Sequence, residues 1–167
     1  MTIKNAYLAA GCFWGVEDAF RKTPGVLEAV SGYMGGYVDS PTYRQVCEGT
    51  TGHTETVQVS YDEDKVSYET LLDRFFGMHN PTTLNRQGPD FGSQYRSAVF
   101  AEDEAQQEAA RQKIVEVDAS GKWAAPVVTE VNLGGVGTTY AAIGAAGQVN
   151  QLSAVLPGSC TGPTAAP

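Results

Sequence analysis

Residues 54 to 61, TETVQVSY, alternate, with Val57, Val59 and Tyr61 on one parity and Thr54, Thr56, Gln58 and Ser60 on the other, and residues 67 to 78 then place Tyr68, Leu71, Leu72, Phe75 and Phe76 on one helical stripe. A period of two followed at once by a period near 3.6 demands a sheet with one greasy face and a helix to cover it. The same alternation of element types runs through most of the chain. AYLAA at 6 to 10 reads as a short buried strand, and a helix begins at Cys12 or Phe13, since Phe13, Val16 and Phe20 share one stripe. Thr23-Pro24-Gly25 stops that helix, and residues 26 to 33 read as a second strand. A loop at 35 to 41 leads to a short helix near Tyr43 to Cys47. Asn80-Pro81 ends the helix at 67 to 78, a polar loop runs from 81 to 94, and a strand is expected near Tyr95 to Phe100. Residues 102 to 120 form an acidic-started helix with Gly121 as its C-terminal signal, and residues 127 to 131 make the last strand. The expected fold is α+β, a two-layer sandwich with a central sheet of four or more strands.

From Asn132 onward the pattern dissolves. Seven of the 19 glycines lie between Gly134 and Gly162, so 132–167 is expected to be a glycine-rich, mobile C-terminal segment. With 167 residues, no internal repeat and no linker, the chain is expected to be one domain, burying roughly two thirds of its unfolded surface. A net charge of -8 and no basic cluster longer than Arg21-Lys22 argue against nucleic acid or an anionic membrane as partners. The N-terminus is too weakly apolar for a signal peptide, and no run approaches a membrane span, so a cytoplasmic protein is expected.

Three cysteines, Cys12, Cys47 and Cys160, are widely spaced and include no C-x-x-C. Staples are not expected from them in a reducing compartment. The two histidines stand 26 residues apart and no ligand spacing exists, so neither a metal nor a cofactor is expected. Cys12, in GCFWGVE, follows a strand and opens a helix, where the helix dipole favours an anion and so the nucleophilic thiolate. Its alternative is an inert, buried small residue. Phe13 and Trp14 lie about 100° apart around the helix, so one enters the core and the other is left to wall a cleft or to cover the sheet edge. Glu55 shares parity with Val57, Val59 and Tyr61. If the strand is regular from Glu55, the carboxyl is buried and holds a proton, as a general acid requires; if the strand starts one residue later, it faces water. Tyr43 and Tyr95 flank loops and offer hydroxyl donors. Asp90 sits in a turn, Gly88-Pro89-Asp90-Phe91-Gly92, and His53 reads equally well as a loop residue.

GCFWGVE at 11 to 17, Pro41-Thr42-Tyr43 with Val46-Cys47, Gly52-His53-Thr54-Glu55, and Asn85-Arg86-Gln87-Gly88 through Asp90 to Gln94-Tyr95-Arg96-Ser97 together resemble an A-type peptide methionine sulfoxide reductase. The similarity runs in order from about Leu8 to Val131. It implies a ferredoxin-like core with a mixed central sheet, and thiol-dependent reduction of methionine S-sulfoxide, free or in proteins. By that resemblance Cys12 is the nucleophile, and Phe13 and Trp14 receive the substrate methyl group. Glu55 protonates the oxygen, Tyr43 and Tyr95 donate to it, and Asp90 supports the network. Cys160 resolves the Cys12 sulfenic acid into a disulfide, a thioredoxin-like dithiol restores the thiols, and Cys47 is structural. A monomer is expected. The segment from 132 to 156 departs from the family pattern, with no histidine, no acid and only Tyr140 as an aromatic. Two other readings of the residues are a non-catalytic module that binds methionine or its sulfoxide, and a cysteine-based peroxide sensor.

Overall fold

In the computed structural model, residues 1–38, 41–133 and 141–142 are described. In chain order the elements are β1 (Ile3–Ala10), α1 (Phe13–Arg21), β2 (Val26–Met34), α2 (Tyr43–Cys47), β3 (Thr54–Asp62), α3 (Tyr68–Gly77), β4 (Arg86–Gln87), β5 (Asp90–Phe91), a 3-10 turn (Ser93–Tyr95), β6 (Ser97–Ala101), α4 (Glu104–Ala119), β7 (Glu130–Leu133) and β8 (Ala141–Ala142). Among the described residues, six strands form one sheet in the order β7-β6-β1-β3-β2-β8, and β4 and β5 make a separate hairpin. Strand β1 is antiparallel to both β3 and β6, and β2 is antiparallel to β3. The central β6-β1-β3-β2 order, with α1 bridging β1 to β2 and α3 lying between β3 and β6, is the ferredoxin-like core. Parallel pairing of β7 with β6 makes the sheet mixed.

Helices α1 and α3 cover one face. Ala6, Leu8, Val57, Val59 and Val99 from the sheet meet Phe13, Val16 and Phe20 from α1, and Leu71, Leu72 and Phe75 from α3. The five residues of the α3 stripe are all buried, as the spacing predicts. The other face gathers a smaller set, Ala9, Met34, Ala98 and Phe100.

Four expectations are corrected. Strand β1 starts at Ile3, because Ile3, Lys4 and Asn5 pair with Asp62, Tyr61 and Ser60 through backbone bonds that leave no hydrophobic signature. The strand expected from Tyr95 begins at Ser97. Tyr95 belongs instead to the turn entered through Gly92, whose φ of 134° suits glycine. The last strand spans 130–133, not 127–131, because pairing with β6 begins at Ala98↔Glu130, whereas the Val127 and Val128 amides donate to Asp118 Oδ1 and the Pro81 carbonyl. Residues beyond 131 are not wholly irregular, since Asn132 and Leu133 continue β7, and Ala141 and Ala142 pair with Tyr33 and Gly32 on the β2 edge.

A buried relay holds the end of α3 to the sheet. His79 Nδ1–H donates to the Phe75 carbonyl at 2.6 Å, which leaves Nε2 to accept from the Ser97 hydroxyl at 2.7 Å; Ser97 in turn is bonded to Thr129 at 2.8 Å. Burial pushes the imidazole down to about 4, with the Phe75 carbonyl opposing. His79 is therefore neutral in the fold, while the unfolded chain takes up a proton near pH 6.5. Its contribution is complete above about pH 6.5 and is lost as pH falls toward 4, a change of about 3 kcal/mol. Urea unfolding of wild type and His79→Asn from pH 7 to pH 4 should show this component in the wild type alone. Parallel profiles would contradict it.

Candidate active site

The site forms where β1 ends and β3 begins. Gly11 turns the chain out of β1 at φ 91°, and a Cβ there would approach Gln87 Cγ to 2.6 Å, so the turn before Cys12 needs glycine on both counts. Gln87 is fixed by two bonds to the Asn80 backbone. Gly15, by contrast, has no atom within 4 Å of a built Cβ. Cys12 is the N-cap of α1, half-buried, and its side chain makes no capping bond. It is disulfide-bonded.

Strand β3 is regular from Thr54, so the Glu55 side chain joins Val57, Val59 and Tyr61 on the helix-covered face. Glu55 is 1% exposed, and its Oε1 accepts the Phe13 N–H at 3.2 Å. That amide is one of the donors a helix N-terminus leaves open. The carboxyl thus lies against the residue next to Cys12. Burial raises it well above the ordinary carboxylate range, the Phe13 amide opposing and nearby Asp90 reinforcing. The helix terminus favours an anion, but desolvation is the larger effect and favours the protonated carboxyl.

Tyr43 and Tyr95 reach the same place from different elements. A reciprocal capping box between Thr42 and Gln45 starts α2, and Tyr43 and Cys47, four residues apart, share one face of it. Thr54 Oγ1 donates to the Gln94 carbonyl, and Arg96 donates to the carbonyls of Gly52 and Ser93; together they bind the start of β3 to the turn that carries Tyr95. Both tyrosines are buried, and burial raises both hydroxyls, so they remain donors at neutral pH. Sequence reasoning missed that the Cys47 thiol is an electrostatic neighbour of both hydroxyls. Burial pushes that thiol up to about 11, the two neighbouring hydroxyls opposing it, which keeps it protonated and non-nucleophilic.

The β4–β5 hairpin brings in Asp90, which pairs with Gln87 across the turn and is 6% exposed. Burial raises its carboxyl as well. Phe13 is fully buried, with its ring centroid 5.0 Å from Trp14, 5.7 Å from Tyr33 and 6.4 Å from Tyr43. Phe13 takes the core position and Trp14 packs against it half-buried. His53 is a loop-holding residue: its Nδ1 accepts from Gly36 and its Nε2–H donates to Val38. Cys160 lies outside the described residues. Among the described residues no cluster of three or more histidine, cysteine or acidic side chains suits a metal ion, and no helix is long and apolar enough to cross a membrane.

A cysteine at the N-cap position of a helix on a ferredoxin-like core, beside a carboxyl whose protonated form burial favours and two buried phenols, has the groups that a cysteine-based oxidoreductase needs. The family described as peptide methionine sulfoxide reductase matches residues 4–142. The peptide methionine sulfoxide reductase MsrA of Methanoculleus marisnigri is 53% identical over 134 residues, covering 80% of this chain and 82% of its own. That of Chromobacterium violaceum is 54% identical, covering 77% and 73%. Among solved structures, methionine sulfoxide reductase A of Corynebacterium diphtheriae superposes with a TM-score of 0.73 at 35% identity, covering 83% of this chain and 68% of that one. Mxr1 from Saccharomyces cerevisiae in its reduced form gives 0.70 at 34%, covering 81% and 82%. Mxr1 in complex with Trx2 shares the fold at a TM-score of 0.59 and 23% identity, covering 93% and 86%. The chain belongs to the peptide methionine sulfoxide reductase family. It is an oxidoreductase that reduces methionine sulfoxide in a thiol-dependent reaction.

Proposed function

We propose that Cys12 attacks the sulfur of methionine S-sulfoxide, free or in proteins, while Glu55 delivers its proton to the sulfoxide oxygen. The oxygen passes to the Cys12 sulfur, giving a sulfenic acid and the methionine thioether; the cysteine sulfur is oxidised by two electrons and the methionine sulfur reduced by two. Tyr43 and Tyr95 donate to the oxygen as charge develops on it. Asp90 supports the polar side of the pocket, and its own burial beside Glu55 strengthens the proton-holding form. Phe13 and Trp14 receive the methyl group. The observation that carries this reading is the buried Glu55 carboxyl bonded to the amide directly after Cys12.

Cys160 then attacks the sulfenic sulfur, forming a disulfide and releasing water, and a thioredoxin-like dithiol exchanges with that disulfide. The structure of Mxr1 with Trx2 supports a reductant of that kind. In this reading residues 1–167 form one domain, with 132–167 carrying Cys160, and the enzyme acts as a cytoplasmic monomer.

Assays with dithiothreitol and the separate S and R epimers test the reading. Reduction of the S epimer with at least about 100-fold preference over R is expected, since a site with donors aimed at one oxygen position rejects its mirror placement. Equal rates for the two epimers would contradict the assignment of the oxygen to Glu55 and the tyrosines.

A further inference from the structure

A third tyrosine, Tyr33, faces this site and has no role in the mechanism above. It stands directly opposite Glu55 in the β2–β3 ladder. The two side chains therefore leave the same face of the sheet, with Cβ atoms about 5 Å apart. That face is the one α1 covers, for the Tyr33 ring packs on Phe13, whose amide holds Glu55. Tyr33 is 1% exposed, and its hydroxyl is buried without a hydrogen-bond partner among the described residues. Native interiors rarely leave such a donor unmet. Glu55 is the strongest of its electrostatic neighbours, followed by Cys47, Tyr43 and Tyr95.

We propose that Tyr33 is a positioning residue for the same reaction: through one bridging water, its hydroxyl steadies the carboxylate left on Glu55 when that residue gives its proton to the sulfoxide oxygen. The inference rests on Glu55 being the proton donor. A hydrogen bond to an ionised carboxylate is about twice as strong as one to a neutral partner, so a donor placed here favours the state after proton transfer over the state before it. The other groups facing Glu55 are the Phe13 amide from α1, Tyr43 and Cys47 from α2, Tyr95 from the 3-10 turn and Asp90 from β5. Asp90 opposes ionisation, and Tyr43 and Tyr95 are assigned to the substrate oxygen. Tyr33 is the buried phenol left to serve the carboxylate.

Tyr33→Phe keeps the ring and removes only the hydroxyl. The test follows the Glu55 carboxyl by carbon-13 NMR titration in the full chain, alongside the pH profile of kcat/KM with methionine S-sulfoxide and the thermal midpoint. In Tyr33→Phe, the Glu55 titration and the alkaline limb of the profile should both move up by about one pH unit, and kcat should fall about tenfold with KM within about twofold. The thermal midpoint should stay close to that of wild type, because the ring and its packing on Phe13 are kept. An unmoved Glu55 titration overturns the proposal, whatever happens to the rate, and a lowered midpoint with that result marks a packing role. A wild-type protein that fails to reduce the sulfoxide refutes the functional reading separately, while the NMR titration still decides whether Tyr33 governs Glu55.

Discussion

Cys12→Ser should lower kcat/KM for methionine S-sulfoxide by at least about 10³-fold relative to the reduced wild type. The magnitude follows from chemistry more than from geometry. Serine fits the N-cap position of α1, where it is among the preferred residues, so the helix and its bond to Glu55 should persist. Its hydroxyl stays protonated at a helix N-terminus that would draw out a thiolate. Even an alkoxide there has no oxidation state comparable to a sulfenic acid in which to accept the sulfoxide oxygen. Loss of activity should therefore come without loss of fold, checked by comparing circular dichroism and rate in one preparation. Undiminished reduction by Cys12→Ser would remove the nucleophile from this site.

Glu55→Gln should cost about 10² to 10⁴-fold in kcat/KM, the range for removing a positioned proton donor. Burial raises the wild-type carboxyl well above the ordinary range and so favours its neutral form. An amide has nearly the same shape, and its oxygen can still accept the Phe13 N–H. The substitution thus separates the proton from the packing, and unfolding free energy should stay within about 1 kcal/mol of wild type. The wild-type rate should fall at alkaline pH as Glu55 loses its proton, and that limb should vanish from the residual rate of the variant. A variant of near wild-type rate would show that the proton comes from elsewhere.

The core was legible in the sequence because it follows from periodicity, whereas periodicity left Glu55 either buried or facing water until the strand's start at Thr54 decided for burial. The α3 stripe is buried as its spacing demands, and the alternation that sends Val57, Val59 and Tyr61 inward carries Glu55 with them. Glycine punctuation was also legible: Gly25 and Gly121, read as helix stops, adopt φ of 90° and 73°. What escaped depends on pairing between segments distant in sequence. The register that sets Tyr33 against Glu55 and the nearness of the Cys47 thiol to the Tyr95 hydroxyl leave no local pattern. Nor does the relay from His79 through Ser97 to Thr129, which ties three elements through single side chains. Elements were misplaced where backbone pairing outruns hydrophobic pattern, as at Ile3 to Asn5, or where a greasy run finds no partner strand, as at 127 to 129.

The most direct test of the account is one turnover without reductant. Cys160→Ser protein, reduced and then freed of thiol, is mixed with excess methionine S-sulfoxide in the presence of a sulfenic-acid trap, and the methionine formed is compared with the modified peptides. About one methionine per protein, with the trap on the peptide bearing Cys12, is the predicted result. Methionine formed while Cys12 stays unmodified, or no methionine at all, would contradict it.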